Sequence, residues 1–448
     1  MFLKAFEIAR GIKEGSFTAS EVLQKCFDKI DETDSDICAW VCLDTDGAME
    51  RAKILDSIRK SGKALGPLHG VPVGIKDIVD TVNLPTSYGS DIFADRRPES
   101  PARIIELLEK AGAIIVGKTV TTEFAFMKPS ITKNPVNINY SPGGSSSGSA
   151  SAVAAGNLPI AIGSQTNGSV IRPASFCGVY AIKPSSGIIP KFGVLETSNI
   201  LDQMGIFANC LEDLALACDA LSDYDSRDPN SRPFPSPVLS TALSKAPPVE
   251  PKLVWLELDY IVNLDGAVRT GFDQIKDILG NRIENIDARE ATKRLVAAHK
   301  TIYEYQLLEN LGPINNQNPS KMNNLILEAL SRAKSITYND FKLALEIRAE
   351  AHSFFESLFL DYDAILTPSA ISEAPLLKEN STGNPICCTI WTLCGLPCFN
   401  IPLLSGEKSL PVGVQLVGKF EEDDRLIRTA NWLQNFLTEK VANLNLPK

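Results

Sequence analysis

The amino-acid sequence predicts an α/β protein in which a central, twisted, mixed β-sheet is covered by α-helices on both faces. Short apolar runs that are typical of buried strands alternate with longer segments of helical periodicity. After residue 220 the chain changes character: a crossing rich in Asp, Ser and Pro leads into a long helical stretch before strand patterns return. We therefore expect a largely parallel sheet with one helical insertion.

The first 65 residues predict N-terminal helices. Thr18 and Glu21 have the spacing of a capping box, and apolar residues follow them at helical intervals. The same periodicity recurs over 48–61. Glycines and prolines between positions 66 and 74 then predict an abrupt loop just before Lys76.

The segment 66–220 is predicted to form the core of the fold and to carry the catalytic residues. Its elements are expected to be a helix over 102–111, a strand over 113–116, a helix over 149–155, a strand over 160–163 and a turn over 165–172. A loop rich in glycine and serine precedes the second helix. We expect that loop to lead directly into a helix N-terminus.

The segment 221–360 is predicted to be a variable, mainly helical insertion. It begins with an exposed crossing over 223–251. Helical periodicity then extends over 284–359 and surrounds a predicted loop at 312–323.

The C-terminal segment 361–448 is predicted to return to the core sheet. Strand patterns appear at 362–368 and at 412–417. Residues 1–448 are therefore expected to form a single domain with an internal insertion.

Charge and hydropathy argue against binding to nucleic acid or to a membrane. The formal net charge is −10, from 44 basic and 54 acidic residues, and no long run of Lys and Arg offsets it. No uninterrupted apolar stretch is long enough to span a bilayer, and the N-terminal residues do not resemble a signal peptide. We therefore expect a cytoplasmic protein.

The ten cysteines are expected to be reduced residues, mostly in the core. Cys387, Cys388, Cys394 and Cys398 are close enough in sequence to suggest a zinc site. They lack CxxC spacing, however, and apolar residues separate them. We interpret them as part of a buried segment and predict no metal.

The candidate catalytic residues are Lys76 in GVPVGIKDIVD, Ser145 in SPGGSSSGSAS and Ser169 in QTNGSVIRPAS. A lysine and two hydroxyls can perform acyl transfer without histidine. Lys76 can act as a base only when it is neutral, and the apolar residues before it favour the burial that would lower its pKa. The three histidines, His69, His299 and His352, have no obvious catalytic setting.

These three segments resemble the signature of the amidase signature family, and further blocks along most of the chain resemble that family in the same order. The resemblance implies the amidase signature fold and a Ser-Ser-Lys triad. Ser169 would be the nucleophile, and Ser145, held by a cis peptide bond, would pass protons between Ser169 and Lys76. We expect the two hydroxyls to lie about 3 Å apart, and somewhat farther apart without ligand. The backbone N–H groups of Thr166, Asn167, Gly168 and Ser169 would form an oxyanion hole.

Three residues depart from the family pattern around Ser169. Gln165 stands where the family usually has an acid, Asn167 replaces a glycine, and Arg172 comes one residue later than usual. Asn tolerates a left-handed backbone better than other non-glycine residues, so we expect the turn to be preserved. Because Arg172 is shifted by one residue, the sequence does not establish whether it supports the site as the family's arginine does.

The resemblance implies hydrolysis of a small or medium carboxamide through an acyl-enzyme, with no cofactor. Candidate substrate-binding residues are Met127, Tyr140, Ser146 and Trp391, together with Tyr303 and Tyr305. The expected partner is a small-molecule amide, and the sequence leaves a homodimer open.

Two alternatives remain from the sequence. One branch of the family is the glutaminase subunit of tRNA-dependent amidotransferases, which releases ammonia from glutamine for a partner. The sequence around Ser146 also matches G-x-S-x-G, the nucleophile elbow of α/β-hydrolases, which would use a histidine base such as His299 or His352. The residues before it make a poor strand, which disfavours the elbow.

Overall fold

The computed structural model describes residues 4–233 and 235–443, with side chains up to residue 440. Within these residues eleven strands form one mixed sheet. The strands are β1 (Trp40–Leu43), β2 (Pro72–Lys76), β3 (Ile114–Thr119), β4 (Ile160–Gln165), β5 (Tyr180–Lys183), β6 (Gln203–Ala208), β7 (Leu253–Glu257), β8 (Ile283–Asp287), β9 (Ala364–Pro368), β10 (Cys398–Ser405) and β11 (Pro411–Val417).

Fourteen α-helices lie between and around these strands in the described residues. They are α1 (Ala5–Glu14), α2 (Ala19–Ile37), α3 (Thr45–Lys60), α4 (Arg103–Lys110), α5 (Ser147–Ala154), α6 (Ile171–Cys177), α7 (Leu211–Leu221), α8 (Leu239–Leu243), α9 (Gly266–Leu279), α10 (Arg289–Gln317), α11 (Asn324–Ala333), α12 (Tyr338–Leu358), α13 (Ile386–Cys394) and α14 (Asp423–Asn443). The predicted capping box is present at the start of α2, where the Thr18 hydroxyl accepts from the Glu21 N–H and the Glu21 carboxylate accepts from the Thr18 N–H.

The strand order is β1-β3-β2-β4-β6-β5-β10-β11-β9-β7-β8. Six neighbouring pairs are antiparallel and four are parallel, so the expectation of a mixed sheet is confirmed but that of a largely parallel one is wrong. The reason is that several strands pair with a neighbour that arrives by a return of the chain rather than by a helical crossover. Strands β2, β4, β6 and β9 are buried along their whole length, as expected of strands covered on both faces.

The predicted insertion at 221–360 is not purely helical. It contains α8 to α12, but β7 and β8 also lie in it and extend the main sheet at one edge. Residues Glu284 to Asp287 belong to β8 rather than to a helix, and the predicted loop at 312–323 is helical as far as Gln317.

The sheet positions the candidate site at its β2–β4 junction. These strands run parallel, with Ile75 opposite Ile162, so their carboxyl ends lie side by side. Lys76 is the last residue of β2, and the turn that carries Ser169 follows β4. Among the described helices, none combines the length and apolar character needed to cross a membrane.

Candidate active site

Lys76 is buried, with no exposed surface, at the end of β2. Its Nζ donates hydrogen bonds to the Ser145 hydroxyl at 2.7 Å and to the Ser164 hydroxyl at 2.9 Å. Burial lowers the pKa of Lys76 well below its usual 10.5, and the more distant Asp202 carboxylate opposes this effect only in part. The lysine therefore loses its proton far more readily than a surface lysine does.

Ser145 lies in the glycine-serine loop immediately before α5 and is almost completely buried. The Gly144–Ser145 peptide bond is cis. The Arg172 guanidinium donates to the Gly144 carbonyl at 2.6 Å, and the Thr122 N–H donates to the Ser145 carbonyl at 3.1 Å. Both carbonyls that flank the Ser145 backbone are thus held by other segments, which fixes the hydroxyl beside Lys76.

Ser164 is a contact of Lys76 that sequence reasoning missed. It lies on β4, one residue beyond the end of the predicted strand at 160–163. A polar residue at the end of a buried strand was the only signal available, because the contact with Lys76 depends on the pairing of β2 with β4.

Ser169 lines a cavity of about 380 Å³ and is 9 % exposed. Its hydroxyl forms no hydrogen bond with any described residue, so the expected direct bond with Ser145 is not present in this structure. The Ser145 hydroxyl accepts from Lys76, which leaves its own proton available for donation. Catalytic hydrogen bonds are often long or misaligned without substrate and shorten in the complex.

The turn before Ser169 presents free backbone donors. The N–H groups of Asn167, Gly168 and Ser169 donate to no acceptor within the described residues. Successive unpaired N–H groups in a turn can stabilise an anion. This arrangement is suited to an oxyanion.

Side chains from distant parts of the chain hold this turn. His299 on α10, which is buried, lies with its Nε2 2.9 Å from the Thr166 carbonyl, and the Thr166 hydroxyl donates to Asp202 at 2.5 Å. Burial lowers the pKa of His299 to about 4, so the ring is neutral near pH 7 and its Nε2 carries the proton donated to the carbonyl. The sequence around His299 gives no sign of this contact.

The structure accounts for the three departures from the family pattern. Gln165 accepts from the N–H groups of Val170 and Ile171 at 2.9 and 3.0 Å, and so caps the start of α6. Asn167 does not adopt a positive φ, so the turn makes no demand for a left-handed residue there. Arg172 is buried and also donates to the Gly383 carbonyl at 2.9 Å, which ties the Ser145 loop to the segment before α13.

The substrate-binding candidates differ in whether they line this cavity. Met127 lines it and is 53 % exposed, and Tyr303 lines it from α10. Tyr305 lies outside, stacked on Phe341 at a centroid distance of 4.3 Å.

Tyr140, Ser146 and Trp391 do not line this cavity, so their prediction as substrate contacts is not supported. Tyr140 packs near Phe176 beside a separate surface depression. Ser146 is buried, and its hydroxyl bonds to the Ser164 backbone and to no described histidine, which also removes the basis of the elbow alternative. Trp391 is completely buried against Phe355.

The cysteines of the 387–398 segment are buried, and burial raises the pKa of each thiol. Within the described residues, no group of three or more His, Cys, Asp or Glu side chains is placed to hold a metal ion.

Comparison with known proteins places the chain in a family. The Amidase family profile matches residues 21–427. The chain is 30 % identical to a subunit of the glutamyl-tRNA(Gln) amidotransferase of Natranaerobius thermophilus, over 97 % of this chain and 96 % of that relative.

Solved structures resemble it over nearly the whole length. A protein from a vestigial complex that reveals the evolutionary origins of an s-triazine catabolic enzyme matches with a TM-score of 0.91 and 26 % identity, over 97 % of this chain and 98 % of that chain. The peptide amidase of Stenotrophomonas maltophilia matches in fold with a TM-score of 0.83 and 23 % identity, over 96 % of each chain. The chain therefore belongs to the amidase signature family and is an enzyme that hydrolyses amides.

Proposed function

We propose that the enzyme hydrolyses a small or medium linear carboxamide through an acyl-enzyme on Ser169. The observation that carries this proposal is the buried Lys76 amine, which donates a hydrogen bond to the Ser145 hydroxyl at 2.7 Å. Lys76 lies at the end of β2, and the parallel neighbour β4 leads into the turn that carries Ser169. A lysine with a strongly lowered pKa can replace histidine as the general base.

In the proposed mechanism Lys76 takes a proton from Ser169 through the Ser145 hydroxyl. Ser169 Oγ then attacks the amide carbon, and the developing oxyanion accepts from the free N–H groups of the 167–169 turn. The proton returns through Ser145 to the leaving amine, which departs as the C–N bond breaks. Water then attacks the acyl carbon and passes a proton through Ser145 to Lys76. The bond between the acyl carbon and Ser169 Oγ breaks, the acid is released, and the proton returns through Ser145 to Ser169.

The cavity beside Ser169 supports a substrate of modest size. Its walls combine the apolar and aromatic side chains of Phe126, Met127, Val296, Tyr303 and Ile386 with the charged side chains of Lys300, Glu304 and Arg332. Apolar walls of this kind bind small organic ligands, and polar groups among them orient the ligand.

The second candidate is a glutaminase subunit that supplies ammonia to a partner enzyme. Its support is the 30 % identity over 97 % of the chain to a glutamyl-tRNA(Gln) amidotransferase subunit. Both candidates use the same proposed triad, so the chemistry at Ser169 does not distinguish them.

The test uses the purified full chain with no added partner. A serine-directed fluorophosphonate should label Ser169, identified by peptide mass spectrometry, and Ser169→Ala should abolish both labelling and amide hydrolysis. A panel of carboxamides that includes glutamine, with detection of the released amine, then separates the two candidates. Turnover of glutamine alone would favour the glutaminase subunit, and labelling that persists in Ser169→Ala would refute the proposed nucleophile.

A substrate found in this way also tests whether the reaction passes through a covalent acyl-enzyme. Hydroxylamine should divert the acyl group to a hydroxamate, because acylation and deacylation are separate steps. Normal turnover with neither a hydroxamate nor a trapped acyl-enzyme would refute the covalent route.

A further inference from the structure

We infer that Thr389 on α13 is a positioning residue for the oxyanion turn, acting through the Asn167 side chain. The inference rests on the proposed function, since it concerns how the 167–169 turn is aligned with Ser169. It also assigns a purpose to Asn167, the residue that replaces the usual glycine.

Two threonines one helical turn apart on α13 hold opposite sides of Asn167. The Thr389 hydroxyl donates to the Asn167 side-chain oxygen at 2.7 Å, and the Thr392 hydroxyl donates to the Asn167 main-chain carbonyl at 2.6 Å. Both threonines are buried, with exposed fractions of 3 % and 0 %. Buried hydrogen bonds of this length hold their partners in a defined orientation.

The same helix also packs tightly against the next residue of the turn. A Cβ atom built on Gly168 would lie 3.0 Å from the Pro385 Cβ and 3.4 Å from the Cys388 Cβ. The N-terminal end of α13 thus leaves no room for the turn to move toward it.

A glycine at position 167 would have no side chain for Thr389 to hold. With Asn167, the turn gains a second attachment to α13 in addition to the main-chain bond from Thr392. The three N–H groups at 167–169 have no acceptor among the described residues, so their direction is set by the attachments of the turn: those of Asn167 to α13 and those of Thr166 to His299 and Asp202. Stabilisation of an oxyanion requires donors within a few tenths of an ångström of their ideal positions.

Thr389 also lines the substrate cavity. A substrate that contacts α13 near Thr389 would therefore act on the wall that holds the turn. This links recognition of the acyl group with the alignment of the oxyanion donors.

A double-mutant cycle tests the inference, with the rate constant of fluorophosphonate labelling at saturation as the readout. Thr389→Val should lower that rate constant about fivefold, as expected for loss of one hydrogen bond, with little change in the concentration of probe needed for half-saturation. In an Asn167→Ala background the same substitution should change the rate constant by less than about twofold, because the partner is already absent.

Two variants provide matched controls. Thr392→Val should lower the rate constant in both backgrounds, because its acceptor is the main-chain carbonyl of residue 167. Thr389→Ser keeps the hydroxyl and should label at close to the wild-type rate. Thermal unfolding identifies a variant that fails to fold, in which case Thr389→Cys replaces Thr389→Val.

The outcomes separate this inference from the proposed function. If the wild-type enzyme labels at Ser169 but Thr389→Val has equal effects in both backgrounds, the positioning role of Thr389 is overturned and the proposed nucleophile remains. A change confined to the half-saturating concentration would make Thr389 a cavity wall only. If the wild-type enzyme does not label at Ser169, both the proposed function and this inference fail.

Discussion

The Lys76 amine and the Ser164 hydroxyl meet at 2.9 Å across two neighbouring parallel strands, although the residues are 88 positions apart in sequence. This contact holds the amine from the sheet itself, while Ser145 contacts it from a loop. The proposed base is therefore fixed by two independent parts of the fold.

The pH dependence of hydrolysis should reflect the ionisation of Lys76. Activity should rise with pH as Lys76 loses its proton, and the rise should be complete below pH 10.5 because burial lowers the pKa. His299, with a pKa of about 4, is already neutral in this range. A pH profile of kcat/KM measures this rise. Lys76→Ala should abolish the rise along with most of the activity.

Ser164→Ala should shift the rise of kcat/KM to lower pH. The Ser164 hydroxyl accepts a hydrogen bond from Lys76 Nζ and so stabilises the charged form, and its removal disfavours the ammonium. Ser164→Thr keeps a hydroxyl and is the control. If kcat/KM rises at the same pH in a folded Ser164→Ala variant, Ser164 does not affect the ionisation of Lys76.

No histidine should be required as a base. His299→Gln keeps an N–H donor that can reach the Thr166 carbonyl and should retain activity within a few-fold, while His299→Leu removes the donor and should lose about tenfold or more. His352 packs edge-on against Phe420 and should be replaceable by Ala with little change in kcat/KM. A complete loss of activity in folded His299→Gln would contradict the lysine mechanism.

The buried Lys118–Asp77 pair should be important for stability. Their charged atoms are 3.5 Å apart, and neither side chain has exposed surface. Burial lowers the pKa of Lys118 to about 8 and raises that of Asp77, so desolvation outweighs the attraction between them. Lys118→Met should lower the free energy of unfolding by about 3–5 kcal/mol, because it leaves the Asp77 carboxylate unpaired.

The double variant Lys118→Met with Asp77→Asn is the matched control for that prediction. It should recover much of the loss, since no uncompensated charge remains. Denaturant unfolding followed by fluorescence compares the three proteins. Equal losses in the single and double variants would show that packing, rather than charge pairing, is responsible.

Local sequence predicted the elements with strong periodicity or clear caps. Examples are the capping box at Thr18 and the helix and strand that follow the Ser145 loop, α5 and β4. It predicted four of the eleven described strands, at 113–116, 160–163, 362–368 and 412–417, and missed the others. Among those missed are β1, which has only four residues, β2, which begins within the predicted loop at 66–74, and β8, whose side chains are mostly exposed and therefore lack an apolar pattern. Short or polar edge strands are defined by their partners rather than by their own composition.

The residues of the candidate site likewise divide into those that a local sequence pattern identifies and those that it does not. Lys76, Ser145 and Ser169 were found because glycine-rich segments around them carry a recognisable pattern. Ser164, His299 and Thr389 have no such pattern, and each meets the site only through contacts made by the folded chain.

The placement of Lys76 and Ser164 on the sheet has a consequence for how this enzyme can diversify. Lys76 and Ser164 lie on buried strands, whereas much of the cavity wall, including Val296, Lys300 and Ile386, belongs to α10 and α13. Substitutions at these wall positions can alter which amides enter while leaving the strand register unchanged. New substrate ranges are therefore accessible by mutation of helix surfaces, except at His299 and Thr389, where a change in recognition also disturbs the turn before Ser169.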